Sequence, residues 1–151
     1  MGCDIHLAIE TRNKEGKWEW AKKDQLKEFP YGDKSVADSF LSDRNYSLFG
    51  FLFGVRNESI NPWPPFVRRG IPDDSYFKDI LEETYWLGDH SFTYFTKKEW
   101  DEQVMKFSNV VSALTQIDPG FLWGMNKLLS SYYDWKYDNG EGVRVIVGFD
   151  N

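Results

Sequence analysis

The strongest constraint on this chain is an alternation at its beginning that has a counterpart at its end. In "CDIHLAIE", Ile5, Leu7 and Ile9 point one way while Asp4, His6, Ala8 and Glu10 point the other. A period of two residues is that of a half-buried β-strand. "TRNKEGK" then reads as a turn and "KWEWAKK" alternates again, so the chain opens with a β-hairpin. At the far end "DNGEG" turns into "VRVIVGFD", an apolar closing strand. This last strand is expected to pair with the first and to bring Asp150 and Asn151 beside it.

The segments between carry mostly helical signals. Residues 24–43 are polar, contain Pro30 and Gly32, and read as a loop with room for one short helical turn. "RNYSLFGFLFGVRN" is the most apolar stretch and predicts a short buried helix, capped by Asp43 or Asn45 and ended by Gly54. "NPWPPFVRRGIPDD" holds four prolines, so it is a stiff loop presenting Arg68 and Arg69. Apolar residues at 76, 77, 80, 81 and 85 predict a helix over 74–86, with Asp74 or Ser75 as its cap. "LGDHSFTYF" reads as a loop and then a short extended segment. Thr96 and Glu99 fit a capping box, and Trp100, Val104, Phe107, Val111 and Leu114 make one continuous helical stripe. Asp118-Pro119-Gly120 breaks that helix, and "FLWGMNKLLSSYYDW" predicts a final one. Strands at both ends with helices between them give a single α+β domain over residues 1–151. Its small antiparallel or mixed sheet, formed by the N-terminal hairpin and the C-terminal strand, is covered by helices.

Composition narrows the function. Aromatic residues are 18% of the chain, which argues against disorder and supplies faces that can stack on a base or sugar. A net charge of −6 disfavours binding to duplex nucleic acid, although converging arginines can still hold a small anion. The one cysteine, Cys3, excludes an internal disulfide and a cysteine-rich zinc site, and its strand-like setting predicts a small buried hydrophobe. No apolar run approaches the roughly 20 residues needed to span a bilayer, so no membrane partner is expected. "MGCDIHLAIE" is not a signal peptide, and His6 stands where a myristoylation signal has Ser or Thr. A cytoplasmic location is expected.

Both histidines lie beside aspartates: Asp4-x-His6 on the first strand, and Asp89-His90-Ser91 in a loop. Asp4 and His6, two apart on a strand, leave by the same face. Such pairs can bind a metal or can orient an imidazole for proton transfer. No HxH, HExxH or Cys/His spacing supports a metal site, so no cofactor is expected and a divalent ion is the lesser option. Two imidazoles flanking a phosphodiester, His6 and His90 with Asp4 and Asp89 orienting them, form an acid–base pair without metal. Arginine forks hold phosphate and asparagine reads a base or sugar edge, which makes Arg44, Asn45, Arg56, Asn57 and Arg69 candidate ligand contacts. From Asn45 to Arg56 is about 16 Å of helix, so the two Arg-Asn pairs cannot hold one phosphate unless Gly50 or Gly54 breaks it.

These segments, "GCDIH", "RNYSLFGFLFGVRN", "RGIP", "GDHSFTYFT" and "VRVIVGFDN", together resemble a family of small bacteriophage and prophage proteins that begin with a GCDIH-type strand. The residues matching its motifs are Asp4, His6, Arg44, Asn45, Tyr46, Arg56, Asn57, Arg69, Gly70, Asp89, His90, Ser91, Asp150 and Asn151. Residues 24–43 and 118–142 match nothing in it. By analogy, a phage origin implies a protein of the host cytoplasm that sequesters or degrades a cyclic-nucleotide or ADP-ribose-type immune signal. Three readings follow. In the first, a homo-oligomeric binding module clamps a small anionic nucleotide-like ligand with Arg and Asn, stacks its base on Tyr46, and reads its edges with Asp4, His6 and His90. In the second, a hydrolase uses His6 and His90 as base and acid. The third is a protein–protein inhibitor of a host factor with an acidic, aromatic surface.

Overall fold

Alternating apolar residues of the first strand and the Val- and Ile-rich last strand build the centre of the sheet, as their patterns require. The computed structural model describes residues 2–21, 46–56, 61–78, 87–116, 119–132 and 141–150. Four antiparallel strands, β1 (Asp4–Arg12), β2 (Trp18–Trp20), β3 (His90–Thr96) and β4 (Val143–Asp150), lie in the order β2-β1-β4-β3. The expected pairing of the last strand with the first therefore occurs, running from Asp4 opposite Asp150 to Thr11 opposite Val143. The expected hairpin also forms. Asn13 Oδ1 accepts the backbone N–H groups of Glu15 and Lys17 at 2.9 and 3.0 Å, and Gly16 takes a φ of +81°.

Helices cover one face of the sheet: α1 (Tyr46–Phe53), α2 (Lys97–Gln103), α3 (Ser108–Thr115) and α4 (Pro119–Ser131). Ile5, Val145, Val147, Phe149 and Phe95 meet Phe49, Phe53, Trp100, Val111, Leu122 and Leu129 in the main core. The architecture is the expected α+β one. α1 ends at Gly54, whose φ is +68° and whose N–H donates to the Gly50 carbonyl at 3.1 Å. Its proposed caps, Asp43 and Asn45, lie outside the described residues. Among the described residues no helix is long and apolar enough to cross a membrane.

Three local expectations are corrected. The helix over 97–114 is not continuous: α2 begins on the expected Thr96–Glu99 capping box, but the chain tightens into a 3-10 turn at Met105–Phe107 before α3. The break re-aims the stripe, so Trp100, Val104 and Val111 are fully buried while Phe107 and Leu114 are 50% and 49% exposed. Next, residues 76–78 form turns where the first turn of a helix is expected; the remainder, 79–86, lies outside the described residues. Third, the polar face of β1 is not a solvent face throughout. Ala8 and Ile146 pack there on Phe77 and Leu87, and Glu10 is completely buried. The proline-rich segment and its continuation supply that second cover.

The 87–88 loop seats directly on the end of β4. A Cβ added at Gly148 would fall 1.8 Å from the Leu87 carbonyl oxygen, a backbone atom that cannot step aside alone. Gly148→Ala is expected to destabilise the fold by about 1–3 kcal/mol, as overpacking does, measured as a lowered midpoint in urea denaturation.

Candidate functional site

Four segments distant in sequence meet where β1 begins, β4 ends and β3 begins. On the face away from the main core, His6 lies opposite Gly148 and Asp4 opposite Asp150. Side chains two apart on a strand share a face. His6 Nε2 accordingly reaches Asp150 Oδ2 at 2.7 Å, with the two side chains 27% and 36% exposed. On the core side of the same sheet end, Cys3 is buried, and its N–H donates to the Tyr46 hydroxyl at 3.1 Å. The turn at Gly54 swings Arg56 back until its guanidinium stands 5.4 Å over the Tyr46 ring. Arg56 itself holds a left-handed φ of 55°, a conformation that non-glycine residues rarely adopt.

Burial pushes the Cys3 thiol above its usual pKa; a hydrogen bond from Arg56 and the Arg56 charge oppose this, while Asp150 and Asp4 add to it. Cys3 is thus the small buried residue its sequence setting predicts, with a cation and two carboxylates close enough to act on it. The thiolate is the reactive form of cysteine. Alkylation of Cys3 by iodoacetamide is expected to be much slower in the folded protein than in urea, followed by mass spectrometry.

The second histidine occupies a different place. His90 lies opposite Phe149 and stacks on it, with ring centroids 6.3 Å apart and 26° between planes. Phe149 belongs to the main core, so His90 is on the helix-covered face and His6 on the other. Their strands flank β4, about 10 Å apart. His90 Nδ1 is 2.9 Å from Ser91 Oγ, and its Nε2 is buried with no hydrogen-bond partner among the described residues. Ser91, at φ 56°, opens the irregular register between His90 and Thr93. The Asp89 N–H donates to the Phe149 carbonyl at 2.8 Å, which fastens this loop to β4. The structure therefore brings His6, Asp4 and Asp150 together on one face, and it does not set His6 and His90 on two sides of one space.

Arg69 is not part of this cluster either. It lies toward the other end of β3, where Nη1 donates to Glu99 Oε2 at 2.8 Å and to the Tyr94 carbonyl at 3.0 Å. Its guanidinium also covers the Tyr94 ring at 4.1 Å. Arg69 thus ties the proline-rich segment to the α2 capping box. Arg44, Asn45, Asn57 and Asn151 lie outside the described residues. Among the described residues no three His, Cys, Asp or Glu side chains converge to hold a metal ion.

Sequence reasoning missed a second polar centre, near the opposite end of β1 and β4. Arg144, only 4% exposed, donates from Nε to Glu10 Oε2 at 2.6 Å and from Nη1 to Asp74 Oδ1 at 2.9 Å. The other Glu10 oxygen accepts the Ser75 hydroxyl and, at 3.0 Å, the Tyr76 N–H. Trp18 Nε1 donates to Asp74 Oδ2 at 3.1 Å, and its ring lies 3.9 Å from the Arg144 guanidinium. The signal was present: the register that sets Asp4 opposite Asp150 also sets Glu10 opposite Arg144. Opposite charges facing one another on the two terminal strands mark the pair.

Comparison with protein-family models, curated proteins and solved structures returns no match, so function is read from the residues themselves.

Removing one partner of a buried ion pair leaves the other charge uncompensated. Glu10→Ala is expected to cost about 3–5 kcal/mol in urea denaturation, whereas Asp74→Asn, at a mostly exposed carboxylate, costs under about 1 kcal/mol.

Proposed function

We propose that the chain is a binding module for a small anionic nucleotide-like molecule, held around the sheet end where Asp4, His6 and Asp150 share one face and Tyr46 and Arg56 approach Cys3 from the core side. The observation that carries this reading is the half-exposed His6–Asp150 pair, fixed at 2.7 Å on two paired strands from opposite ends of the chain. Half-exposed polar pairs of this kind stabilise folds little, so stability does not account for the arrangement. Its chemistry suits a nucleotide. Carboxylates accept hydrogen bonds from the amino and imino edge of a base, an imidazole serves either role, and a guanidinium takes a phosphate. The strained backbone at Arg56 and the unpartnered Nε2 of His90 lie at the same sheet end, the kind of local cost that functional sites tolerate.

Holding is favoured over cleavage. An acid–base pair acting on one phosphodiester needs both groups within hydrogen-bond reach of it. His6 and His90 leave opposite faces of the sheet, which does not meet that need. Sequestration of a cyclic-nucleotide or ADP-ribose-type signal, with the protein acting as a homo-oligomer in a host cytoplasm, is the reading that the sequence resemblance adds.

The test is to incubate the purified protein with a nucleotide panel, remove free ligand, denature by heat and identify what is released. Release of an intact nucleotide is the expected result. Release of altered nucleotide points to a hydrolase, and release of nothing overturns the proposal. His6→Ala and Arg56→Ala are each expected to weaken capture about tenfold or more, while His6→Ala changes stability by under about 1 kcal/mol.

A further inference from the structure

A cavity of about 390 Å³ opens at the other end of the sheet, lined among the described residues by Arg12, Trp18, Thr96, Lys98, Glu99, Glu102, Glu141 and Arg144. It is separate from the site proposed above. Arg144 and Asp150 stand six positions apart on β4, about 20 Å of strand. Small-molecule sites begin at about 300 Å³, so this space admits a molecule of amino-acid size.

The lining is graded by depth. Arg144 and Trp18 are buried and form the floor; Arg12, Thr96, Lys98 and Glu99 are half-buried; Glu102 and Glu141 are exposed at the mouth. The Trp18 ring carries both guanidinium groups, Arg144 at 3.9 Å and Arg12 at 4.8 Å. Arg144 is held by Glu10 and Asp74 through Nε and Nη1, yet its Nη2 is buried with no partner among the described residues. A nearly buried guanidinium with an unused donor is costly to leave incomplete. Toward the mouth, Lys98 and Glu141 pair at 3.3 Å with both side chains about half exposed, a contact that a ligand can displace at little cost. Glu102 makes no ion pair among the described residues, whereas Glu99 is already bonded to Arg69.

Charge decides the ligand class. The lining has three cationic and three carboxylate side chains, and Glu10 and Asp74 stand directly behind Arg144. A free phosphate entering here meets as much negative charge as positive. A molecule with no net charge but separated charges is matched at both ends. We propose that this cavity binds a small zwitterion of the α-amino-acid type, its carboxylate seated against Arg144 and Arg12 and its ammonium group turned to Glu102 and Glu141.

The experiment uses the full chain and the standard L-amino acids, with acetate, ethylamine and inorganic phosphate as controls, in thermal-shift and calorimetric titrations. At least one amino acid is expected to raise the melting temperature and give a saturable isotherm, while the three controls at equal concentration do not. Glu102→Gln, at an exposed position, is expected to weaken that amino acid about tenfold without changing the melting temperature of the free protein. The proposal is overturned if no amino acid binds, if acetate or phosphate binds as tightly, or if Glu102→Gln leaves the affinity unchanged. Nucleotide capture at the other sheet end is measured on the same samples, and neither result depends on the other.

Discussion

Pairing of the first strand with the last is the interaction from which the rest of the structure follows. It joins residues as far apart as His6 and Asp150, and it makes β1 and β4 the two central strands. Closing so long a loop costs entropy only logarithmically in its length, and eight residue pairs from Asp4–Asp150 to Thr11–Val143 offset it. A slip of one residue would turn His6 and Glu10 toward Phe49 and Phe53 and push Ile5 outward. The polar residues of β1 therefore select the register as firmly as its apolar ones do.

Glu10 and Arg144 extend that selection to the second face. A buried ion pair is weak support for stability in itself, because both charges lose water. Here most of the remaining valences are met locally: Ser75 and Tyr76 donate to Glu10, and Asp74 accepts from Arg144 Nη1, leaving Nη2 without a partner among the described residues. Those three residues end and follow the proline-rich segment, so the pair also fixes where that segment lies. Phe77, next in the chain, then packs on Ala8 and Ile146. A polar anchor thus directs the apolar cover beside it.

The parts of this fold that could be read from sequence are those set by local period and local chemistry. Strand alternation, the Asn13–Gly16 turn, the Gly54 helix end and the Thr96–Glu99 capping box all depend on residues within a few positions of one another. Tertiary packing decided the rest. Val104 is fully buried, and the chain turns there between α2 and α3, which a regular stripe of apolar residues could not signal. Arg69, read as a phosphate clamp, instead meets Glu99, a residue thirty positions away. For the candidate site, the pairing logic brought Asp150 beside the first strand and located Asp4 and His6. The face of His90 was not legible, because it depends on an irregular register at Ser91 that places its ring on Phe149.

Splitting the two histidines between faces has a chemical consequence that bears on the whole protein. Each imidazole now has its own surroundings: His6 a half-exposed carboxylate on rigid central strands, His90 an aromatic ring and a hydroxyl against the core. Acid–base catalysis needs both groups within reach of one substrate, whereas recognition needs only that each be held still. The central strands supply that stillness, since their backbone is tied on both edges and their registers allow no drift. Groups fixed in this way lose little freedom when a ligand arrives, and binding energy goes into contacts rather than ordering. That same rigidity serves both ends of β4, where one strand carries Asp150 into one polar cluster and Arg144 into another.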